Sequence, residues 1–320
     1  MKLWRTGFAV VICLAGGLCF AQRFGGGGRG GGDLSTVRTA RETPTGSTGT
    51  PNWTNHEAFE RDVFTFARVR YDSEGGFGGP GGGRGRSGGF GGPPGGRGRS
   101  FGGGFGGGYH RWAIDYPDSD LNLSFRLQQM TSLKVDPDGR VIDLLDKDLA
   151  HYPWIYIVEP GALVFSDDEA KALRNYLMNG GFLMIDDFWG EVQWEHFYPQ
   201  LKKVFPDREP VELPMTHPVF HSVFPLKVTK NQLQCPNIRT GEQSQQTGVT
   251  WENHSGEECR DVHFRSIFDD KGRMVVFIAH NTDNGDGWER EGENIYYFHE
   301  FSEKRAYPLG INVIFYAMTH

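Results

Sequence analysis

The segment "YPWIYIVEPGALVFSDDEAKALRNYLMNGGFLMIDD", Tyr152 to Asp187, constrains what this chain can fold into more than any other. "YPWIYIVEPG" is an apolar run stopped by Pro160-Gly161, as a buried strand is. In "SDDEAKALRNYLMNGG", Ser166 and Glu169 make a capping box, Ala170, Leu173 and Leu177 recur at helical spacing, and Asn179-Gly180 ends the helix. The apolar run Phe182 to Ile185 follows at once. Strand, helix, short turn and strand in that order is the pattern of a βαβ unit and predicts a parallel sheet.

Further elements flank this unit. "RDVFTFARVRYDS" (Arg61 to Ser73) alternates Val63, Thr65, Ala67 and Val69 against Phe64, Phe66, Arg68 and Arg70, which predicts a strand with two unlike faces. Asp120 is placed to cap a helix carrying Leu123, Leu127 and Met130 on one face. "EVQWEHFYPQLKKVF" predicts a helix and "GRMVVFIAHN" a buried strand; at the chain's end Ile311, Ile314, Phe315 and Met318 share a helical face. The expected fold is an open, mostly parallel α/β sheet flanked by helices, with one polar excursion over residues 230–262.

Glycine sets the domain count. The chain has 320 residues and 46 glycines, crowded into 25–32 and 75–108, and those stretches cannot bury enough apolar surface to fold alone. The expected organisation is a disordered leader over 22–52 and one domain over 53–320, interrupted by a Gly/Arg-rich insert at 75–108. The insert repeats Arg-Gly-Arg-Ser at 84–87 and 97–100, so it reads either as a polyanion-binding tract or as a flexible loop expansion, the second being favoured. A formal net charge of -7 supplies no overall basic field, which argues against nucleic acid as a partner.

Residues 1–21 carry Lys2 and Arg5 ahead of an apolar run too short to span a bilayer comfortably, then Ala21. This reads as a signal peptide cut after Ala21, with the mature protein in the periplasm or outside the cell and no transmembrane helix left after cleavage. Cleavage would leave Cys235 and Cys259, which an oxidising compartment could bridge; two separate buried thiols is the other reading.

In doubly wound sheets ligands lie beyond the carboxyl ends of the strands. Those ends are Tyr71-Asp72-Ser73, Glu159, Asp186-Asp187 and His280-Asn281, so Asp72, Asp186, Trp189, His280 and Asn281 are candidate binding residues and Asp187 and Glu159 candidate catalytic ones. Adjacent aspartates on a strand face opposite ways, so a partner carboxylate for Asp187 has to come from Glu159. Capping of the helix near Glu191 is the competing role for Asp187. The histidines show no metal-ligand spacing, Pro218 makes "HPVFH" (His217 to His221) a turn, and "HNTDNGDGWE" (His280 to Glu289) does not fit the calcium-loop spacing and reads as a turn. No metal and no cofactor is expected. There is no Gly-x-Ser-x-Gly, and no cysteine follows the Phe182–Ile185 strand.

"FTFARVRYDS", "RWAIDYPDSDLNLSFRLQQMTSLKVDPDG", "YPWIYIVEPG", "LRNYLMNGGFLMIDDFWGE", "VFPDREPVELPMTHPVF" and "GINVIFYAMTH" together resemble the bacterial domain-of-unknown-function family 4159, over most of residues 61–320 apart from the glycine insert. That family is similar to the class I glutamine amidotransferase-like fold, a flavodoxin-like sheet. The resemblance implies that Asp187 or Phe188 stands where amidotransferases carry a catalytic cysteine. Similar trehalose-utilisation-like proteins also lack that cysteine, which points to a sugar or other small polar ligand. The expected function is therefore a non-catalytic module that binds a small polar ligand or an envelope protein. The alternatives are a hydrolase using Asp187 and Glu159 as acid and base on a glycan or peptide, and a domain that anchors a functional glycine tract.

Overall fold

The computed structural model describes residues 34–46, 49–57, 62–73, 110–254 and 257–320. The signal-peptide reading and the glycine insert lie outside the described residues. In chain order the elements are β1 (Ala67–Arg70), β2 (Asp72–Ser73), α1 (Asp118–Met130), β3 (Arg140–Asp143), β4 (Trp154–Val158), β5 (Leu163–Val164), α2 (Asp167–Met178), β6 (Phe182–Asp186), α3 (Gly190–Val204), β7 (Val211–Glu212) and α4 (Ile238–Thr247). There follow β8 (Asn253–His254), β9 (Glu257–Glu258), β10 (His263–Phe268), β11 (Met274–His280), α5 (Asn284–Glu289) and α6 (Ile295–Tyr297), which runs through a π-helical stretch, Phe298–Ala306, into α7 (Tyr307–Thr319).

Seven strands form one sheet in the order β3-β1-β4-β6-β11-β10-β7. The first five are parallel, and β10 runs antiparallel to both β11 and β7. The chain steps outward from β1 to β3, then returns to place β4 on the other side of β1. That reversal opens a crevice beyond the carboxyl ends of β1 and β4, the usual position of a ligand in such sheets.

The βαβ unit forms as its residues dictate. Glu169 N–H donates to the Ser166 hydroxyl at 3.3 Å, and Ser166 N–H returns to the Glu169 carboxylate at 2.9 Å, so two orphan donors of α2 are satisfied. At the far end Gly180 takes φ +114°, and a Cβ on Gly181 would lie 2.3 Å from the Tyr176 ring, so both glycines of the turn are required. Strand side chains then alternate between two cores. Ile155, Ile157, Leu183 and Ile185 pack with Leu173, Leu177 and Phe197 of α2 and α3, while Trp154, Tyr156, Phe182 and Met184 pack with Leu123, Trp288 and Ile311 on the other side.

Several expectations are corrected. The strand expected within Arg61 to Ser73 is confined to β1, and both of its faces are covered, with Phe66 and Arg68 fully buried. Asp120 is not the cap of α1, which begins at Asp118; it lies in the first turn, facing Arg68. The polar excursion holds α4 and the β8–β9 pair, and β10 follows it. On α7, Ile311 and Ile314 are buried but Met318 is exposed. Within the stretch read as a leader, Val37 and Ala40 are buried and Ala40 N–H donates to Asp138 O at 2.8 Å, so packing begins ahead of Trp53. Cys235 and Cys259 are separate, unbridged buried thiols, the second of the two readings. Among the described residues, no helix is long and apolar enough to cross a membrane.

Candidate functional site

Four described non-glycine residues have left-handed backbone: Asp115 (φ 61°), Glu159 (φ 45°), Asp187 (φ 56°) and Asn281 (φ 61°). Three of them directly follow β4, β6 and β11, and Asp115 precedes α1. Each such residue costs roughly 1–3 kcal/mol and persists only where its surroundings hold it, which is typical of ligand sites. Glu159 is held by its N–H donating to Asp186 O at 3.1 Å, and Asn281 by its N–H donating to Phe188 O at 2.9 Å.

Asp115, Glu159 and Asp187 line a pocket of about 230 Å³ at the crevice, together with Glu252, Asp283 and Asp286. Six carboxylates thus face one small space, and Arg290 is the one arginine or lysine among its lining residues. Arg111 reaches in from beside it, its Nη1 2.7 Å from Glu159 Oε2. Arg290 Nε lies 3.4 Å from Asp286 Oδ1 and 2.8 Å from Glu289 Oε2.

Burial of so many acids in one place raises their proton affinity. Burial, then the charges of Asp286, Glu289 and Asp187, holds the Asp115 carboxyl well above the usual range. Asp187 is raised likewise by burial, then by Glu159 and Glu252, and Asp283 by burial, then by Asp187 and Asp286. Burial also raises Glu159, against the pull of Arg111. Glu289 is pushed up to about 8 by burial and by Asp286.

Asp186 plays a different part. Its carboxylate accepts from Tyr156 Oη (3.1 Å), Asn284 N (2.9 Å), Asn284 Nδ2 (2.8 Å) and Gly285 N (3.1 Å), so it ties β4 and β6 to the start of α5. Burial still moves it to about 6. Asp187, one residue on, accepts from Trp189 Nε1 at 3.1 Å. It does not cap α3, whose N-cap is Trp189 with no side-chain cap.

Of the residues expected from the strand ends, Asp187, Glu159 and Trp189 come together in the pocket. His280 does not reach it: the ring stacks on Phe188 at 4.5 Å, its Nε2 lies 3.1 Å from Gly190 O, and burial pushes it down to about 3. Asn281 clamps the loops beneath, accepting from Gly190 N at 2.8 Å and donating to Asp261 O at 2.8 Å. Asp72 is exposed on β2, paired with β5, outside the pocket lining.

Asp115 carries no signal in the sequence. Asp283 and Asp286 lie in the stretch expected to be a turn, His280 to Glu289, which instead contains α5, and its density of oxygen side chains directly after a strand is the available signal. Carboxylate oxygens of Asp115, Asp187 and Asp283 all lie within 4.8 Å of one another, as do those of Asp115, Asp286 and Glu289. Such groups are suited to a hard cation.

Fold and pocket together define an α/β protein with a mostly parallel seven-stranded sheet and an acidic crevice at its switch point. The chain belongs to the domain of unknown function family DUF4159, whose sequence model matches residues 106–318. No curated protein matches it.

Proposed function

We propose that the chain is an exported, non-catalytic binding domain of class I glutamine amidotransferase-like architecture, and that its crevice takes a small polar ligand bearing positive charge or hydroxyl groups. One observation carries this reading. Six carboxylates line the pocket, and its lining residues include no serine, threonine or cysteine to act as a nucleophile. The parallel strands follow the order of flavodoxin-like sheets, and Asp187 sits on a strained strand-to-helix turn of the kind that carries nucleophiles in related folds. A carboxylate ring of this kind repels anions and favours amines, cations and hydroxyl donors.

A second reading, a hydrolase acting on a glycan or peptide, is favoured by Asp187 and Glu159 sharing the pocket. Asp187, held protonated by burial and by Glu159, would be the acid; Glu159, eased by Arg111, would be the base. A thermal-shift screen of the full chain against amines, sugars, amino acids and nucleotides, with and without a chelator, tests both. Binding predicts a stabilising shift from an amine or sugar that is lost in Asp187→Asn. Hydrolysis predicts that Asp187→Asn keeps the shift and loses turnover of the same compound. A response to anions alone, or one that neither Asp187→Asn nor Glu159→Gln alters, would sink both readings.

A further inference from the structure

The acids of the crevice divide by whether a cation already faces them. Arg111 pairs with Glu159, and Arg290 with Asp286 and Glu289. Among the described residues, no ion pair involves Asp115, Asp187 or Asp283, and these are the three whose oxygens converge within 4.8 Å. They come from three distant parts of the chain, the segment before α1 and the ends of β6 and β11.

Their remaining hydrogen bonds leave a set of oxygens open. Asp187 Oδ1 accepts from Trp189 Nε1, and Asp283 Oδ1 from Asp286 N at 2.7 Å. Asp115 Oδ2 accepts from nothing, although the residue is only 8% exposed. A buried polar atom without a partner costs about 1–3 kcal/mol, and more when it is charged. The backbone at Asp115 is also held left-handed, so the position carries strain as well as an unpartnered oxygen. Nor does the chain leave it room to retreat. A Cβ on Gly285 would lie 2.2 Å from Asp115 Oδ2, so glycine is what permits the carboxylate to press against the start of α5.

We propose that Asp115, Asp187 and Asp283 bind a hard divalent cation, calcium in preference to magnesium, resting on the reading of the crevice as a ligand site. The donors are all oxygen, which selects a hard ion over zinc or copper. His254, the one imidazole in the lining, is occupied: its Nε2 lies 2.9 Å from Glu252 Oε2 and its ring stacks on Trp189 at 5.7 Å. Magnesium is usually held by one or two carboxylates and keeps several waters, whereas calcium takes clusters of protein oxygens, so three converging carboxylates favour calcium. The second oxygen group shares Asp115, but its Asp286 and Glu289 already pair with Arg290, so the triad whose members form no ion pair among the described residues is the site. A bound ion would neutralise the repulsion among the three acids and present a positive centre in the pocket, able to take a hydroxyl of the organic ligand.

The test is calorimetric titration of the chelator-stripped full chain with calcium and with magnesium, paired with melting curves. The expected result is saturable calcium binding tighter than magnesium binding, with Tm raised about 5–10 °C when calcium stands about 100-fold above its Kd. Asp115→Asn should lose at least about tenfold in affinity while melting higher than the wild type in chelator, since it removes one repelling charge. A merely structural Asp115 would melt lower. Asp72→Asn, outside the pocket, should titrate as wild type. Absence of heat and of any shift with either ion at millimolar concentration overturns the proposal, as does full retention of binding by Asp115→Asn. Organic ligands that bind in chelator while calcium does not would refute the cation alone; calcium binding with a silent ligand screen would refute the crevice reading of organic ligands alone.

Discussion

Arg68 is the residue on which the position of Asp115 depends, and its replacement has a calculable cost. It is fully buried in β1, with Nε 3.0 Å from both oxygens of Asp120, which is itself 1% exposed. Its other nitrogens donate to Trp112 O (3.0 Å), Ile114 O (2.9 Å) and the Ser119 hydroxyl (2.8 Å), and the guanidinium lies 5.1 Å from the Tyr156 ring centre. One side chain therefore fastens the segment on either side of Asp115. In Arg68→Met the Asp120 charge stays buried without a countercharge, with the Ser119 hydroxyl as its remaining donor, which costs about 3–5 kcal/mol, and the Trp112 and Ile114 carbonyls lose their donor at about 1 kcal/mol each. The expected loss is about 5 kcal/mol, or roughly 10–20 °C in Tm for a domain of this size. Arg68→Lys keeps the charge but loses the fork, and should cost about 2 kcal/mol. The measurement is urea unfolding followed by tryptophan fluorescence. Arg68→Met combined with Asp120→Leu removes both charges and should recover at least about half of the single-variant loss. An Arg68→Met loss below about 1 kcal/mol, or strictly additive behaviour in the double variant, would refute the reasoning.

The remaining predictions concern the pocket. Asp115, Asp187 and Asp283 are raised by burial and by one another, Asp186 stands at about 6 and Glu289 at about 8, so the folded protein holds protons that the unfolded chain releases near pH 4. Their stabilising contribution is complete below about pH 4 and is lost as pH rises through the folded values; in chelator, Tm at pH 8 should fall below Tm at pH 5, and a flat or rising profile would refute the clustering. Gly285→Ala places a methyl group 2.2 Å from Asp115 Oδ2, so calcium titration should show weakened binding and the melting curve a loss of about 1–3 kcal/mol; an unchanged titration would show that the carboxylate has room to move.

What could be read in the chain, and what could not, follows the range of the interactions involved. The β4–α2–β6 unit was legible because its capping box, its apolar stripe and its double glycine all act within a few residues. Asp187 and Glu159 were legible because a parallel sheet delivers every strand end to one rim, whatever the loops do. Asp115 was not, since its place is set by Arg68, an arginine far away in the chain, and no local pattern shows which segments that arginine fastens. Asp286 was hidden in a helix of six residues, capped by Asp283, that is buried throughout and so carries no amphipathic period. The same dispersion explains why no metal motif exists to be found. Spaced motifs arise when one loop or helix supplies most of the ligands, whereas here each of three separate segments supplies one carboxylate, two of them from strained backbone. A cluster assembled in that way is held against its own repulsion by Arg68, by Asp186 and by the glycine at position 285, and that investment is the physical reason to look for a cation between the three acids.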